Sequence, residues 1–238
     1  MQKLAIIASV GLGVAAFCVV GVAVMGASGL GGELSDAWHD RESCGISGAT
    51  AQSRSLAWDG DDAVTIKVPS IVHYRRDAGP RLEVTGDPML LSHLEVKNGR
   101  IALDCNLHNW EGKRLDITLP GREINDYTIA GLTDLDLQKV DQDRLDITVA
   151  GKGKITGDGK VGDLKIEILG RTDAYLRDLI ASRVRLRIMG RGDVETSPID
   201  DADITIMGRG DVSLYTEPKH LDTSIMGKGD IKHLARQD

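Results

Sequence analysis

The chain has 238 residues, 41% of them apolar, with 28 glycines and only 3% aromatic side chains. That apolar content supports a substantial core and excludes a disordered chain. Scarce aromatics and a formal charge of −7 exclude nucleic acid as a partner, because base stacking and counterion displacement both lack their residues.

Residues 4–30 (LAIIASVGLGVAAFCVVGVAVMGASGL) carry no charge and follow Met1-Gln2-Lys3. A helix of this length crosses roughly 30 Å of hydrocarbon and exceeds the apolar core of a cleaved leader, so an N-terminal transmembrane helix is the expectation. Cleavage is the alternative, since Ala27-Ser28-Gly29 offers small residues. Lys3 before the run and Glu33, Asp36, Asp40 and Glu42 after it direct the remainder outward. The expected organisation is a membrane anchor or signal at 1–32, a linker at 33–52 and one β domain at 53–234. The predicted location is a cell membrane crossed once, with the C-terminal domain extracytoplasmic, or secreted if the leader is cleaved.

Cys44 and Cys105 fall in the exported part, where a disulfide persists. Paired and separate thiols are both compatible with their spacing. From Ser53 onward, strand-like runs follow one another: SLAWDG, AVTIKVP, IVHYRR, RLEVTG, LEVKNGRIALDC and RLDITLPG. Asn98-Gly99, between LEVK and RIAL, signals a hairpin.

The second half repeats. Aligned on one glycine, the chain reads TIAGLTDL at Gly131, TVAGKGKI at Gly151, EILGRTDA at Gly170, RIMGRGDV at Gly190, TIMGRGDV at Gly208 and SIMGKGDI at Gly227, at intervals of 20, 19, 20, 18 and 19 residues. Apolar side chains alternate before each glycine, as in Leu145/Ile147/Val149, Leu164/Ile166/Ile168, Val184/Leu186/Ile188 and Ala202/Ile204/Ile206; in Leu221/Thr223/Ile225 only Thr223 breaks the row. Ile155, Ala174, Val194, Val212 and Ile231 follow four residues after the glycine. One such unit cannot bury its apolar face alone, whereas units stacked at about 4.8 Å bury a continuous column. The predicted fold is therefore an all-β solenoid of strand, glycine turn, strand and return connection.

Outward charges test the stacking separately. It places Asp146 beside Lys165, Glu167 beside Arg187 and Arg185 beside Asp203, with Lys165/Arg185 and Asp203/Asp222 unfavourable.

Gly151/Gly153, Gly170, Gly190/Gly192, Gly208/Gly210 and Gly227/Gly229 are read as turn corners needing left-handed backbone. Asp193, Asp211 and Asp230, with Asp173, are read as caps on turn N–H groups. Arg171, Arg191, Arg209 and Lys228 are expected to offset that acidic column. Arg-Gly-Asp occurs twice, so Arg191, Asp193, Arg209 and Asp211 form a candidate receptor-binding set. The substitutions in other copies, Lys228 for Arg and Lys154 for Asp, favour a structural turn instead. Met189, Met207 and Met226 are expected to pack at the corners, with an exposed self-association stripe as the alternative.

His39, His73, His93, His108, His220 and His233 show no metal-ligand spacing, and no triad or phosphate loop emerges. Neither cofactor, metal nor catalytic site is expected. Glu167, Arg185, Arg187 and Asp203 form the one patch compatible with a polysaccharide lyase or hydrolase, and the charge ladder explains them more simply.

RLDITLPG followed by the serial turns AGKGK, LGRTD, MGRGD, MGRGD and MGKGD resembles the bacterial family described as "putative auto-transporter adhesin, head GIN domain". The resemblance covers residues 53–234, with Arg or Lys where that family usually has Ser between the glycines. It implies a β-helical domain, comparable with pectin lyases in shape but lacking a catalytic set, and a role in cell adhesion. The expected function is thus a non-catalytic, membrane-tethered surface contacting protein or glycan, possible as a homo-oligomer. The alternative is a structural or stress-signalling component of the envelope that binds other membrane proteins.

Overall fold

A computed structural model of the protein describes residues 43–108 and 112–234. The expected transmembrane helix and residues 33–42 of the expected linker lie outside the described residues. Among the described residues, no helix is long and apolar enough to cross a membrane.

The chain first forms β1 (Ser43–Cys44), β2 (Gln52–Leu56), β3 (Ala63–Ile66), β4 (Ser70–Arg75) and β5 (Leu82–Gly86). A short helix α1 (Pro88–Ser92) precedes β6 (Leu94–Lys97), β7 (Arg100–Leu103), β8 (Asn106–Leu107) and β9 (Leu115–Thr118). The repeats follow as β10 (Asp126–Ile129), β11 (Thr133–Val149), β12 (Lys152–Ile168), β13 (Arg171–Ile188), β14 (Val194–Ile206), β15 (Val212–Leu214), β16 (His220–Ile225) and β17 (Ile231–His233).

Strands β10 to β14 stack in parallel, β14 pairs with both β15 and β16, and β15 pairs with β17. The result is a β-solenoid. Its register is the one the repeat dictates: Asp146 lies opposite Lys165, Glu167 opposite Arg187, Arg185 opposite Asp203 and Asp203 opposite Asp222. The alternating rows through Leu145, Leu164, Val184 and Ala202 are buried, as are Ile155, Ala174, Val194 and Val212. Fully burying each large aliphatic side chain contributes about 1.5–3 kcal/mol, whereas exposed cross-strand ion pairs give about 0.2–1 kcal/mol, so the column carries the cohesion.

The return connection differs from expectation. From β11 to β14 each rung is one continuous bent strand, with register shifts at Leu137/Val140, Thr156/Asp158, Leu176/Ile180 and Ala181/Arg183, whereas β15 and β16 of the next rung are separate strands. Lys139 there adopts φ 55°, and Gly159, beside Val140 in the next rung, adopts φ 120°.

The first half also joins the solenoid. β3 pairs in parallel with β10, and β4 with β11, so residues 63–75 make a rung directly beneath 126–138. Residues 76–125 are an excursion from that rung. Within it, β7 and β9 add parallel strands below β3 and β4. β5 pairs antiparallel with β9 and with β2, which precedes the excursion, and β6 pairs antiparallel with β7. The β6–β7 hairpin turns at Asn98 (φ 50°) and Gly99 (φ 71°), the left-handed pair an Asn-Gly turn requires.

The segment read as linker is tied down from Ser43 onward. β1 pairs with β8, and Cys44 is disulfide-bonded to Cys105. Asp87, only 6% exposed, accepts hydrogen bonds from Ser47 N (3.1 Å), Ser47 Oγ (2.8 Å), Gly48 N (3.1 Å) and Met89 N (2.9 Å). Burial opposes ionisation of Asp87, but these donors outweigh it and hold the carboxyl below its ordinary range. At the far end, Leu221 and Ile225 of the last rung are exposed.

Candidate functional site

The glycine corners stack into one straight edge. Each cationic residue donates its N–H to the first glycine of the rung below: Lys152 to Gly131 (2.8 Å), Arg171 to Gly151 (2.8 Å), Arg191 to Gly170 (2.8 Å), Arg209 to Gly190 (3.0 Å) and Lys228 to Gly208 (2.9 Å). These bonds fix one cation per rung in a single file, about 4.8 Å apart.

The reason for the glycines is not the one inferred from sequence. Among the described residues positive φ occurs at Asn98, Lys139 and glycines 48, 99, 112, 131 and 159, and at none of Gly151, Gly153, Gly170, Gly190, Gly192, Gly208, Gly210, Gly227 or Gly229. The constraint lies between rungs: an ideal Cβ on Gly190 would fall 2.1 Å from the Gly170 carbonyl oxygen, and one on Gly208 or Gly227 would fall 2.1 Å from the oxygen beneath it. No rotation of a side chain relieves a clash with backbone. Thr172, 1% exposed, occupies the second-glycine position of its rung, so only the first position is glycine throughout.

The aspartates do cap N–H groups, but those of the following rung. Asp173 Oδ1 accepts from Asp193 N (3.1 Å), Asp193 from Asp211 N (2.9 Å) and Asp211 from Asp230 N (3.1 Å). Asp134 does the same for Lys154 N (3.0 Å), and Asp230 turns to Ile231 N (2.9 Å). Their carboxylates are thereby engaged with the backbone. Among the described residues, none of Lys152, Arg171, Arg191, Arg209 and Lys228 has a carboxylate oxygen within ion-pair reach, contrary to the expected offset. All five are exposed.

Leu169, Met189, Met207 and Met226, each immediately before a corner glycine, are exposed by 43%, 41%, 40% and 64%. The expected packing of the methionines at the corners is therefore incorrect: the side chain preceding each glycine points outward because its neighbours Ile188 and Ile206 take the inward positions. The edge is a shallow groove lined by the glycine backbone and the five cationic residues Lys152, Arg171, Arg191, Arg209 and Lys228.

The patch proposed from sequence for lyase chemistry is a charge ladder. Glu167 lies 3.1 Å from Lys165 and 3.6 Å from Arg187, while Arg185 stands opposite Asp203. His93 lies 2.8 Å from Asp104 beside Cys105, but that sulfur is in the disulfide and offers no thiolate, so this cluster does not make a metal site. His73 stands between Asp116 (3.7 Å) and Asp136 (3.5 Å), and His108 Nδ1 meets Ser43 Oγ at 3.0 Å.

Fold and edge together define an all-β solenoid that displays repeated side chains along its exterior. The chain belongs to the family described as "Putative auto-transporter adhesin, head GIN domain", whose profile matches residues 62–218. A putative adhesin from Bacteroides fragilis has a similar fold, at 18% identity and TM-score 0.54, over 80% of this chain and 99% of that one. A putative lipid binding protein from Parabacteroides distasonis aligns at 18% identity and TM-score 0.44, over 81% and 100%. A putative adhesin from Parabacteroides merdae aligns at 12% and 0.43, over 81% and 99%. Among curated proteins, none matches this chain.

Proposed function

We propose that this chain is a non-catalytic adhesive protein held outside the cytoplasm, whose solenoid contacts an extended protein or glycan. The observation that carries this reading is the repetition of the same exposed side chains in straight files over successive rungs. Repetition multiplies weak contacts along an extended ligand. Catalysis instead needs different groups converging on one reacting atom. The Cys44–Cys105 bridge supports an oxidising compartment. The uncharged run at residues 4–30 supports a tether in the membrane.

Beads carrying the full-length chain are expected to be retained on glycan-coated or matrix-protein-coated surfaces under flow, above bare beads. Retention equal to bare beads overturns the adhesive reading and turns attention to a structural role in the envelope. Sustained formation of unsaturated products from acidic polysaccharide would instead establish a lyase.

A further inference from the structure

The cationic file at the glycine corners has no role in holding the fold together through its side chains. Lys152, Arg171, Arg191, Arg209 and Lys228 are fixed by main-chain bonds, exposed and without ion-pair partners among the described residues. Like charges stacked at about 4.8 Å repel one another, so the file is a standing electrostatic cost that an anionic ligand would relieve. The Asp column two residues further along lies beyond the cations, outside the groove, with its Oδ1 atoms accepting backbone N–H groups.

We propose that this groove binds a linear acidic polysaccharide lying along the solenoid axis, over the glycine floor, with its carboxylate or sulfate groups on the file of cations. The proposal rests on the adhesive reading and names the ligand class for it. Three features select the polymer. The cations recur at one fixed interval along a line, which calls for acidic groups recurring at about 4.8 Å. An extended acidic peptide places same-face side chains about 6.6 Å apart and falls out of step with the rungs. The groove is lined by glycine backbone and cations alone, so it offers no aromatic platform on which nucleic acid bases would stack.

The test uses the full-length chain immobilised on a sensor, with polygalacturonate and heparin as carboxylated and sulfated probes, and neutral dextran and phosphatidylglycerol vesicles as comparators. Binding of either acidic probe, weakening steeply as salt rises, is expected. Replacing Arg171, Arg191 and Arg209 together by Gln is expected to lower affinity about tenfold or more and to flatten the salt dependence. Replacing all three by Lys should retain affinity within about threefold, which also shows that the corner tolerates substitution. Replacing Arg183, Arg185 and Arg187 by Gln removes the same charge from another face and should change affinity less than about threefold.

Equal losses in the two Gln triples would show diffuse attraction and overturn the site. So would dextran binding as well as the acidic probes, or vesicle binding without polysaccharide binding. Absent polysaccharide binding with bead adhesion intact overturns this groove and leaves the adhesive reading standing; absence of both overturns the two together.

Discussion

Replacing Gly190 by Ala introduces a methyl carbon 2.1 Å from the Gly170 carbonyl oxygen. Ordinary carbon–oxygen contact lies near 3.3 Å, so the two rungs must part locally by about 1.2 Å. The flanking bonds, Met189 N to Ile168 O and Arg191 N to Gly170 O, are both 2.8 Å and would stretch to about 4 Å, beyond bonding. Losing two such bonds costs about 1–3 kcal/mol, and overpacking adds about 1–3 kcal/mol. The reduced freedom of the unfolded chain returns about 0.4–1 kcal/mol. A net loss of about 1–5 kcal/mol is expected from urea unfolding followed by far-UV circular dichroism. Gly45→Ala is the control: nothing lies within 4 Å of its added Cβ, and the change should stay within about 0.5 kcal/mol. Gly190→Asn separates the two explanations for the glycine. Asn tolerates left-handed backbone and would recover stability if that conformation were the constraint. A clash with backbone makes Asn at least as costly as Ala. An Asn variant more stable than the Ala variant, or an Ala variant losing less than about 1 kcal/mol, refutes the close-approach reasoning.

Asp87→Ala should destabilise by about 2 kcal/mol in the same assay, since four donors lose a buried acceptor and α1 loses its N-cap. Reducing Cys44–Cys105 releases a loop of sequence separation 61 and should lower the urea midpoint by the equivalent of about 2–4 kcal/mol; an unchanged midpoint under reductant contradicts this. Tyr127→Phe removes a hydroxyl that is buried without a partner; burial pushes its ionisation well above the ordinary value. That variant should equal or exceed the parent by up to about 1 kcal/mol, and a clear loss would reveal a bond the hydroxyl makes. Asp77, bonded first by Lys139 and then by Arg75, titrates at about 2 rather than 3.8. A depressed carboxyl contributes stability above its unfolded value and loses it as pH falls from 3.8 through about 2. Asp77→Asn should therefore lack that part of the acid limb in pH-dependent melting, with parent and variant converging at the acid end.

Much of the repeat was legible because both of its periods are local in sequence. Alternation at two residues set which side chains of β11 to β14 face inward, and recurrence near nineteen set which rung stands beneath which. Asn98-Gly99 was legible for the same reason, since the turn conformation is a property of those two residues. The excursion at 76–125 was not, because β2–β5 and β5–β9 pair antiparallel across long separations with no periodic signal. The ties of Cys44 to Cys105 and of Ser47 to Asp87 were not legible either, because those partners lie 61 and 40 residues away in sequence.

At the corner edge, sequence identified the residues and misjudged their causes. The inter-rung distance that demands glycine is a property of two rungs together and leaves no mark distinguishable from a left-handed turn in one. The Arg-Gly-Asp spelling implied mutual neutralisation within a rung. Instead the aspartates engage backbone N–H groups of the next rung, which leaves the cations unpaired.

Distances between nitroxide labels along the cationic file test the stacking most directly. Labels at Arg171→Cys and Arg209→Cys should lie about 10 Å apart, two rungs, and labels at Lys152→Cys and Lys228→Cys about 19 Å apart, four rungs, broadened by the label arms. Separations that do not grow in proportion to the number of rungs, or a Lys152–Lys228 distance well beyond 30 Å, would contradict an in-phase solenoid and the binding edge built on it.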